Sequence, residues 1–184
     1  SGYSMEGYPR GSLFSLQFVG LDDMGIPTYV SPWGGTTQTD IPFQETRNLS
    51  CLKYEGPSDP TMTGSFGNVF RYKGFTLNVF MTYSFGNVVR LDPIFASSYS
   101  DLTATPREFA NRFINPGDQY RTDVPAIAST RQTNKISNLY VAYNAYNYSD
   151  VRVAKGDFIR MKEISLSYDF PKSVTSKLRM SGLS

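Results

Sequence analysis

Few residues in this sequence have the types and spacing that chemistry needs. Asp22 and Asp23 are adjacent, so on an extended chain their carboxylates point to opposite sides, whereas glycoside hydrolysis needs two acids facing each other across a cleft. They read as turn residues ahead of Gly25. Asp118 stands in "NPGDQY", where one reading is a metal-binding or catalytic carboxylate and the other a turn built on Pro-Gly-Asp. The chain has no histidine and one cysteine, Cys51. His-dependent triads, the usual zinc and haem ligand sets and an internal disulfide are thereby excluded. No catalytic residue, metal or cofactor is expected, and an enzyme is disfavoured.

Aromatic side chains offer a different chemistry. They make up 15% of the 184 residues, with thirteen Tyr and thirteen Phe, while charged residues reach only 18% against roughly 25% in ordinary globular chains. Trp33 and the cluster Tyr140, Tyr143, Tyr146 and Tyr148 are the candidate binding residues, because such rings stack on sugar faces and anchor protein interfaces. Rings that pack their own loop, or that sit at a membrane boundary, would give the same pattern. The formal charge of +2 is spread along the chain without a basic stripe, so no nucleic-acid partner is expected. Arg107, Arg112 and Arg121 read as solvated loop charges.

Strands must position these residues. From Phe75 to Phe85 the odd positions are Phe, Leu, Val, Met, Tyr and Phe, and the even ones are polar except for Phe80. That is period two, which cannot keep one face on a helix. Phe66 to Lys73 forms a second strand candidate, and "YKGF" supplies a tight turn between the two. The word SFGNV occurs at Ser65 and again at Ser84; a hairpin brings the two copies to about the same level. Phe14, Leu16 and Phe18 share the face of a further strand, followed by a turn at Asp22 to Gly25. In "GDFIRMKEISLSYDFP", Ile164, Leu166 and Tyr168 alternate with polar residues, while Ile159 and Met161 fall on the opposite phase, which predicts a bulge near Arg160 to Lys162. A short helix is expected at Thr105 to Phe113, with Thr105 as N-cap.

Mean hydropathy is −0.33, and no window approaches the roughly 18 apolar residues of a membrane-spanning helix. Alternating strands of an outer-membrane barrel escape that test, since each averages to neutral. The stretch from Phe75 to Phe85, tilted by about 45°, would rise about 25 Å, the height of a barrel's apolar band. In a soluble β-sandwich the same stripe would face a core. Two long stretches, about 31–64 and 88–155, have weaker periodicity and read as long loops. No charged leader followed by an apolar core opens the sequence, so no signal peptide is expected within it.

At "LKYEGPSDPTMTGSFGNVFRYKGFTLNVFMTYSFGNVVR", "NPGDQYRTDVP" and "VAKGDFIRMKEISLSYDFP", with the opening "GYPRGSLFSLQFVGLDDMGIPTYV", the chain resembles the SusC/RagA family of TonB-linked outer-membrane transporters. The resemblance implies an all-β fold, with antiparallel strands forming part of a large transmembrane β-barrel of about 22 strands, and long extracellular loops. Residues 1–184 would be a piece of the C-terminal barrel domain, with the plug domain and TonB-contacting segment elsewhere in a longer chain. It further implies a bacterial outer-membrane location of Bacteroidetes type, import of oligosaccharides or peptides, a SusD-like surface lipoprotein as partner, contact with outer-membrane lipid, and energy from the TonB complex. A soluble β-sandwich carbohydrate-binding module is the alternative; it accounts for the aromatics and the alternation but not for the ordered motifs.

Overall fold

The computed structural model describes residues 5–41, 51–95, 104–127 and 137–171. They belong to two compact units, one of residues 1–58 and 88–155, the other of residues 59–87 and 156–184. In chain order the strands are β1 (Ser12–Leu16), β2 (Phe18–Leu21), β3 (Pro27–Val30), β4 (Thr36–Thr37), β5 (Leu52–Pro57), β6 (Met62–Tyr72), β7 (Phe75–Phe85), β8 (Val88–Arg90), β9 (Val153–Lys155) and β10 (Phe158–Tyr168). An α-helix, α1 (Leu139–Asn147), lies between β8 and β9 in sequence. All ladders are antiparallel. No helix among the described residues is long and apolar enough to cross a membrane, which leaves strands untested.

The second unit is a three-stranded sheet in the order β10-β7-β6, each strand eleven residues long. Lys73 and Gly74 connect β6 to β7 with φ of 45° and 87°, the two positive values a type I′ hairpin turn requires. The register then runs without a slip from Tyr72↔Phe75 to Met62↔Phe85. Ser65 pairs with Thr82 and Ser84 with Thr63, so the two SFGNV words lie two positions out of level. They also differ in role. Gly67 is an ordinary strand residue, whereas Gly86 ends β7 with φ of 81° and donates its N–H to the Asp157 carboxylate at 2.7 Å.

One residue, Phe80, breaks the alternation of β7, and its neighbour explains why. It faces Gly67 across the ladder, and a Cβ on that glycine would meet its ring at 3.1 Å. Gly64 is likewise covered by Tyr83. Each ring replaces the side chain that the glycine of β6 lacks. The predicted bulge is present too: Met161 pairs with Met81 and Glu163 with Phe80, leaving Lys162 unpaired. The extra residue reverses the phase, so that Ile159 and Met161 join Ile164, Leu166 and Tyr168 on one face.

The first unit has a buried core. Residues Leu16, Tyr29, Cys51 and Ala145 form one cluster, Ile26, Leu139, Ala142 and Tyr143 a second, and Ile94, Val124 and Tyr146 a third. Helix α1 contributes Ala145 to the first, and to the other two Leu139, Ala142, Tyr143 and Tyr146, an i, i+3, i+4, i+7 stripe. Around it stand the pair β1-β5, the small sheet β2-β3-β4 and the pair β8-β9.

Several expectations change here. The stretches about 31–64 and 88–155, read as loops, contain β4, β5, β8, β9 and α1; their parts 42–50, 96–103 and 128–136 lie outside the described residues. The helix expected at Thr105 to Phe113 is a 3-10 turn, Arg107–Asn111, with Pro106 in the cap position and no side-chain cap. Thr105 therefore does not cap it. Phe14 and Leu16 part company: Leu16 enters the core, and Phe14 packs at the surface against Tyr8 and Tyr54 at ring distances of 5.0 and 5.5 Å. The register shift of β1 falls just before Phe14, and Ser12 and Ser15 are buried in the same strand. Their hydroxyls are satisfied by the Pro9 carbonyl and the Glu55 carboxylate. The strand β10 stops at Tyr168, short of Pro171, where the Asp169 N–H donates to the Gly74 carbonyl at 2.8 Å; a turn beyond Pro171 lies outside the described residues.

Candidate functional site

Two surfaces carry the features that could act on another molecule. The first is the sheet β10-β7-β6, whose faces differ in chemistry. One presents Met62, Phe66, Phe70 and Tyr72 of β6, all six odd positions of β7, and Ile159, Met161, Ile164, Leu166 and Tyr168 of β10. Asn68 is the polar exception on this face. The other face presents Thr63, Ser65 and Arg71, then Thr76, Asn78, Thr82 and Ser84, then Arg160, Glu163, Ser165 and Ser167, with Val69, Phe80 and Phe158 as its apolar exceptions. There Asn78 donates to the Glu163 carboxylate at 2.8 Å.

Apolar side chains on the first face stay open: Ile159, Ile164 and Leu166 expose 65%, 67% and 67% of their surface. Rings mark both ends of it. Phe75, Tyr168 and Phe170 form a chain with centroid separations of 4.4 and 5.0 Å near the hairpin turn, and Tyr83 stacks on Phe85 at 5.4 Å near the opposite end. Such an arrangement, an apolar band bounded by aromatic rings with polar groups behind it, suits a strand set between lipid and a wet interior.

The second surface belongs to the compact unit and contains the predicted aromatic residues. Trp33, in the turn between β3 and β4, is 61% exposed, and its N–H donates to the Ser31 hydroxyl at 3.3 Å. Tyr140 and Tyr148 are exposed as well; Tyr140 stands edge-on to Phe95, and the Arg90 guanidinium lies 5.4 Å over Tyr148. Tyr143 and Tyr146 face the other way on α1 and are 2% exposed. Trp33, Tyr140 and Tyr148 are thus the exposed members of the set, and the structure does not bring them into one patch with the two buried rings. Their spacing of three signals the helix itself.

Tyr146 nonetheless forms part of the wall of a cavity of about 740 Å³. Arg152 lies beside it, itself 3% exposed, with one guanidinium nitrogen donating to the Asp92 carbonyl at 2.5 Å and another 3.7 Å from Glu108. Burial pushes the Tyr146 hydroxyl up to about 12, with the neighbouring Arg152 charge opposing it, so the group stays a hydrogen-bond donor in neutral water. Arg112 and Arg121, expected as solvated loop charges, also line the cavity.

The carboxylates weighed as chemical groups are engaged locally. Asp118 accepts the N–H groups of Ile114 and Asn115 at 3.1 and 2.8 Å, which holds its carboxyl below the usual range. Asp22 accepts those of Met24 and Ile26 and also the Gln38 amide. Both are turn residues. At the end of α1 the Asn147 amide acts as an extra peptide unit: its oxygen accepts from Ile94 and Phe95, and its nitrogen donates to the Phe95 carbonyl. Sequence reasoning gave Asn147 and Arg152 no role, because their partners lie about fifty and sixty residues away.

No family model matches the chain. A TonB-dependent receptor of Formosa agariphila, P39, is 28% identical over 118 residues, which are 62% of this chain and 10% of that receptor. Among solved structures the chain is similar to the RagAB peptide importer in its "open-open" state, with a TM-score of 0.55 and 18% identity, covering 94% of this chain and 18% of that one. The chain thus spans a tenth of the curated relative it matches and less than a fifth of the solved one. The structural match speaks for the fold alone, and the sequence match is to a protein named as a TonB-dependent receptor. In sequence the chain is thus similar to part of a TonB-dependent receptor, and in fold to part of the RagAB importer.

Proposed function

We propose that residues 59–87 and 156–171 are wall strands of a transmembrane β-barrel in the outer membrane of a Bacteroidetes-type bacterium, and that the compact unit is an extracellular elaboration of that barrel. The receptor imports glycan fragments or peptides with a SusD-like lipoprotein on its outer face, and the TonB complex acts through parts of the protein outside this chain. Trp33, Tyr140 and Tyr148 are the aromatic contacts available to substrate or lipoprotein. The chain performs no chemical step; its work is to separate lipid from a polar path and to present loop surface.

The observation that carries this reading is the sorting of the three-stranded sheet into an apolar and a polar face, kept in phase by the bulge at Lys162. A sandwich would cover the apolar face with a second sheet, yet Phe66 and Phe70 of β6 and Met161, Ile164 and Leu166 of β10 keep more than half of their surface open. Eleven-residue strands also have the right length, rising about 25 Å when tilted by about 45°.

Single cysteines at Leu77, Val79 and Ile164, labelled with a nitroxide, test the assignment in membranes. Contact with a lipid-soluble relaxing agent is expected at all three, and contact with a water-soluble one at Thr76 and Asn78. Water-phase contact at both sets, or burial of both from either agent, would sink the barrel-wall reading.

A further inference from the structure

We propose that the cavity beside α1 binds the carboxylate of an acidic oligosaccharide, with Arg152 and Tyr146 at its floor and Arg121 at its rim. The setting of this proposal in a transporter rests on the reading above; the binding itself rests on the cavity. Its volume of about 740 Å³ lies inside the roughly 300–1,000 Å³ usual for small-ligand sites.

The floor asks for an anion. Arg152 is 3% exposed, and its Nε is buried with no hydrogen-bond partner among the described residues. Its ion pair with Glu108 is long, at 3.7 Å, and Glu108 is half exposed. The guanidinium is anchored by its bond to the Asp92 carbonyl, and a carboxylate accepting from it would add to the charge compensation that the long Glu108 pair gives. Tyr146 adds a hydroxyl donor at the same place. Arg112 and Arg121 form no ion pair among the described residues, although Glu108, Asp118 and Asp123 line the same cavity.

The rest of the lining suits sugar hydroxyls. Glu108 and Asp123 are acceptors, Asn111 and Gln119 offer amides of both kinds, and the Tyr120 ring, 86% exposed, presents a face on which a pyranose can stack. An extended peptide would instead seek an unpaired strand edge. Here the walls are 3-10 turns, coil and one helix, which present side chains and no strand edge.

The test is calorimetric titration of the whole receptor, purified in detergent, with a uronate trisaccharide, a neutral trisaccharide, and matched peptides with free and amidated C-termini. Saturable binding of the uronate is expected, about tenfold tighter than the neutral sugar and weaker at high salt. Arg121→Gln at the exposed rim should lower uronate affinity about tenfold and leave the neutral sugar unchanged. Arg152→Lys keeps the charge but loses the fork, and should also weaken it. If Arg152→Lys fails to assemble, Arg121→Gln decides. Equal affinity for acidic and neutral sugars, an unchanged affinity in Arg121→Gln, or tighter binding of the free-carboxylate peptide overturns the proposal. A receptor found in the outer membrane that fails this titration loses only the cavity assignment, while binding by a protein found outside any membrane would remove only the transporter setting.

Discussion

In the unit of residues 1–58 and 88–155, Ile26, Tyr29, Ala142 and Ala145 retain no exposed surface, whereas in the sheet unit Ile159, Ile164 and Leu166 keep about two-thirds of theirs. Both units are rich in large apolar side chains, and both are well ordered locally by hydrogen bonds. They differ in where the apolar groups point. In the first, side chains from β1, β3, α1 and the coil at Val124 converge. In the second, three strands sort their side chains by face and converge on nothing. Convergence is what water demands of a fold, and sorting suffices where one face meets an apolar medium.

The comparison breaks most sharply at a core ring. Tyr29 is fully buried, and its hydroxyl donates to the Ala142 carbonyl of α1 at 2.7 Å. Tyr29→Ala is expected to cost about 3–5 kcal/mol, since it removes a buried aromatic ring from the cluster and orphans a polar contact. Local protease cutting of the compact unit, followed against denaturant, measures it. Phe70→Ala on the open face of β6 should leave that transition unmoved, and an equal effect would erase the distinction between the units.

The next test exchanges solvent preference on one strand. Ile164 sits near the middle of β10 opposite Val79, with its neighbour Ser165 on the other face. Ile164→Arg should destabilise the barrel in a bilayer by about 2–4 kcal/mol, the cost of a cation on the lipid face near the midplane. Ser165→Arg should change stability by less than about 0.5 kcal/mol. Urea unfolding in lipid vesicles reads both. Two small effects would mean that water, not lipid, lies against Ile164.

The sheet was legible in the sequence and the compact unit mostly was not, for reasons that follow from the same contrast. Strand β7 states its faces residue by residue, "YKGF" fixes the turn, and the phase reversal between Met161 and Ile164 marks the bulge, all within local sequence. The turn at Asp22 was equally local. Helix α1 also had a local signal, the spacing of Leu139, Ala142, Tyr143 and Tyr146, but its rings invited a binding role instead. Its start gives no help, because Asn138 takes the cap position in the left-handed conformation without a side-chain cap. The pairing of β1 with β5 joins residues forty positions apart, and the Arg152 contact with Asp92 joins residues sixty apart. Nothing in one-dimensional spacing announces such partners, so the cavity they build was invisible.

A smaller effect separates the two SFGNV words. Gly86 has φ of 81°, and a Cβ there would lie 2.0 Å from the Thr61 hydroxyl oxygen; Gly67 has no such backbone constraint and only the Phe80 ring at 3.1 Å. Gly86→Ala should cost about 1–2 kcal/mol through the left-handed backbone alone, with the Thr61 clash adding to it. Gly67→Ala should cost less than about 1 kcal/mol, because a ring can yield by a few tenths of an ångström. Equal costs would show that the repeated words share one structural role after all.

The weakest expected effect is a local response to acid in the compact unit. The Asp118 carboxyl is held below its ordinary value of 3.8, first by the Asn115 N–H, then by that of Ile114, with the Arg121 charge assisting. A depressed folded value means that the carboxylate's contribution to the turn is fully present above 3.8 and is lost as the pH falls through the lower, folded value. The group is exposed, so the loss stays confined to this turn. The Ile114 and Asn115 amide resonances should therefore move together below that pH, while those of buried Ala142 and Ala145 stay fixed. Asp118→Asn should remove the response, since an amide oxygen can still accept from both N–H groups but does not titrate. Because Asp118 and Gln119 form one side of the cavity beside Arg152, the same acid range should weaken uronate binding in the native protein beyond what protonation of the sugar acid explains. A profile set by the sugar alone, identical in Asp118→Asn, would show that the turn's stability and the cavity's affinity are independent.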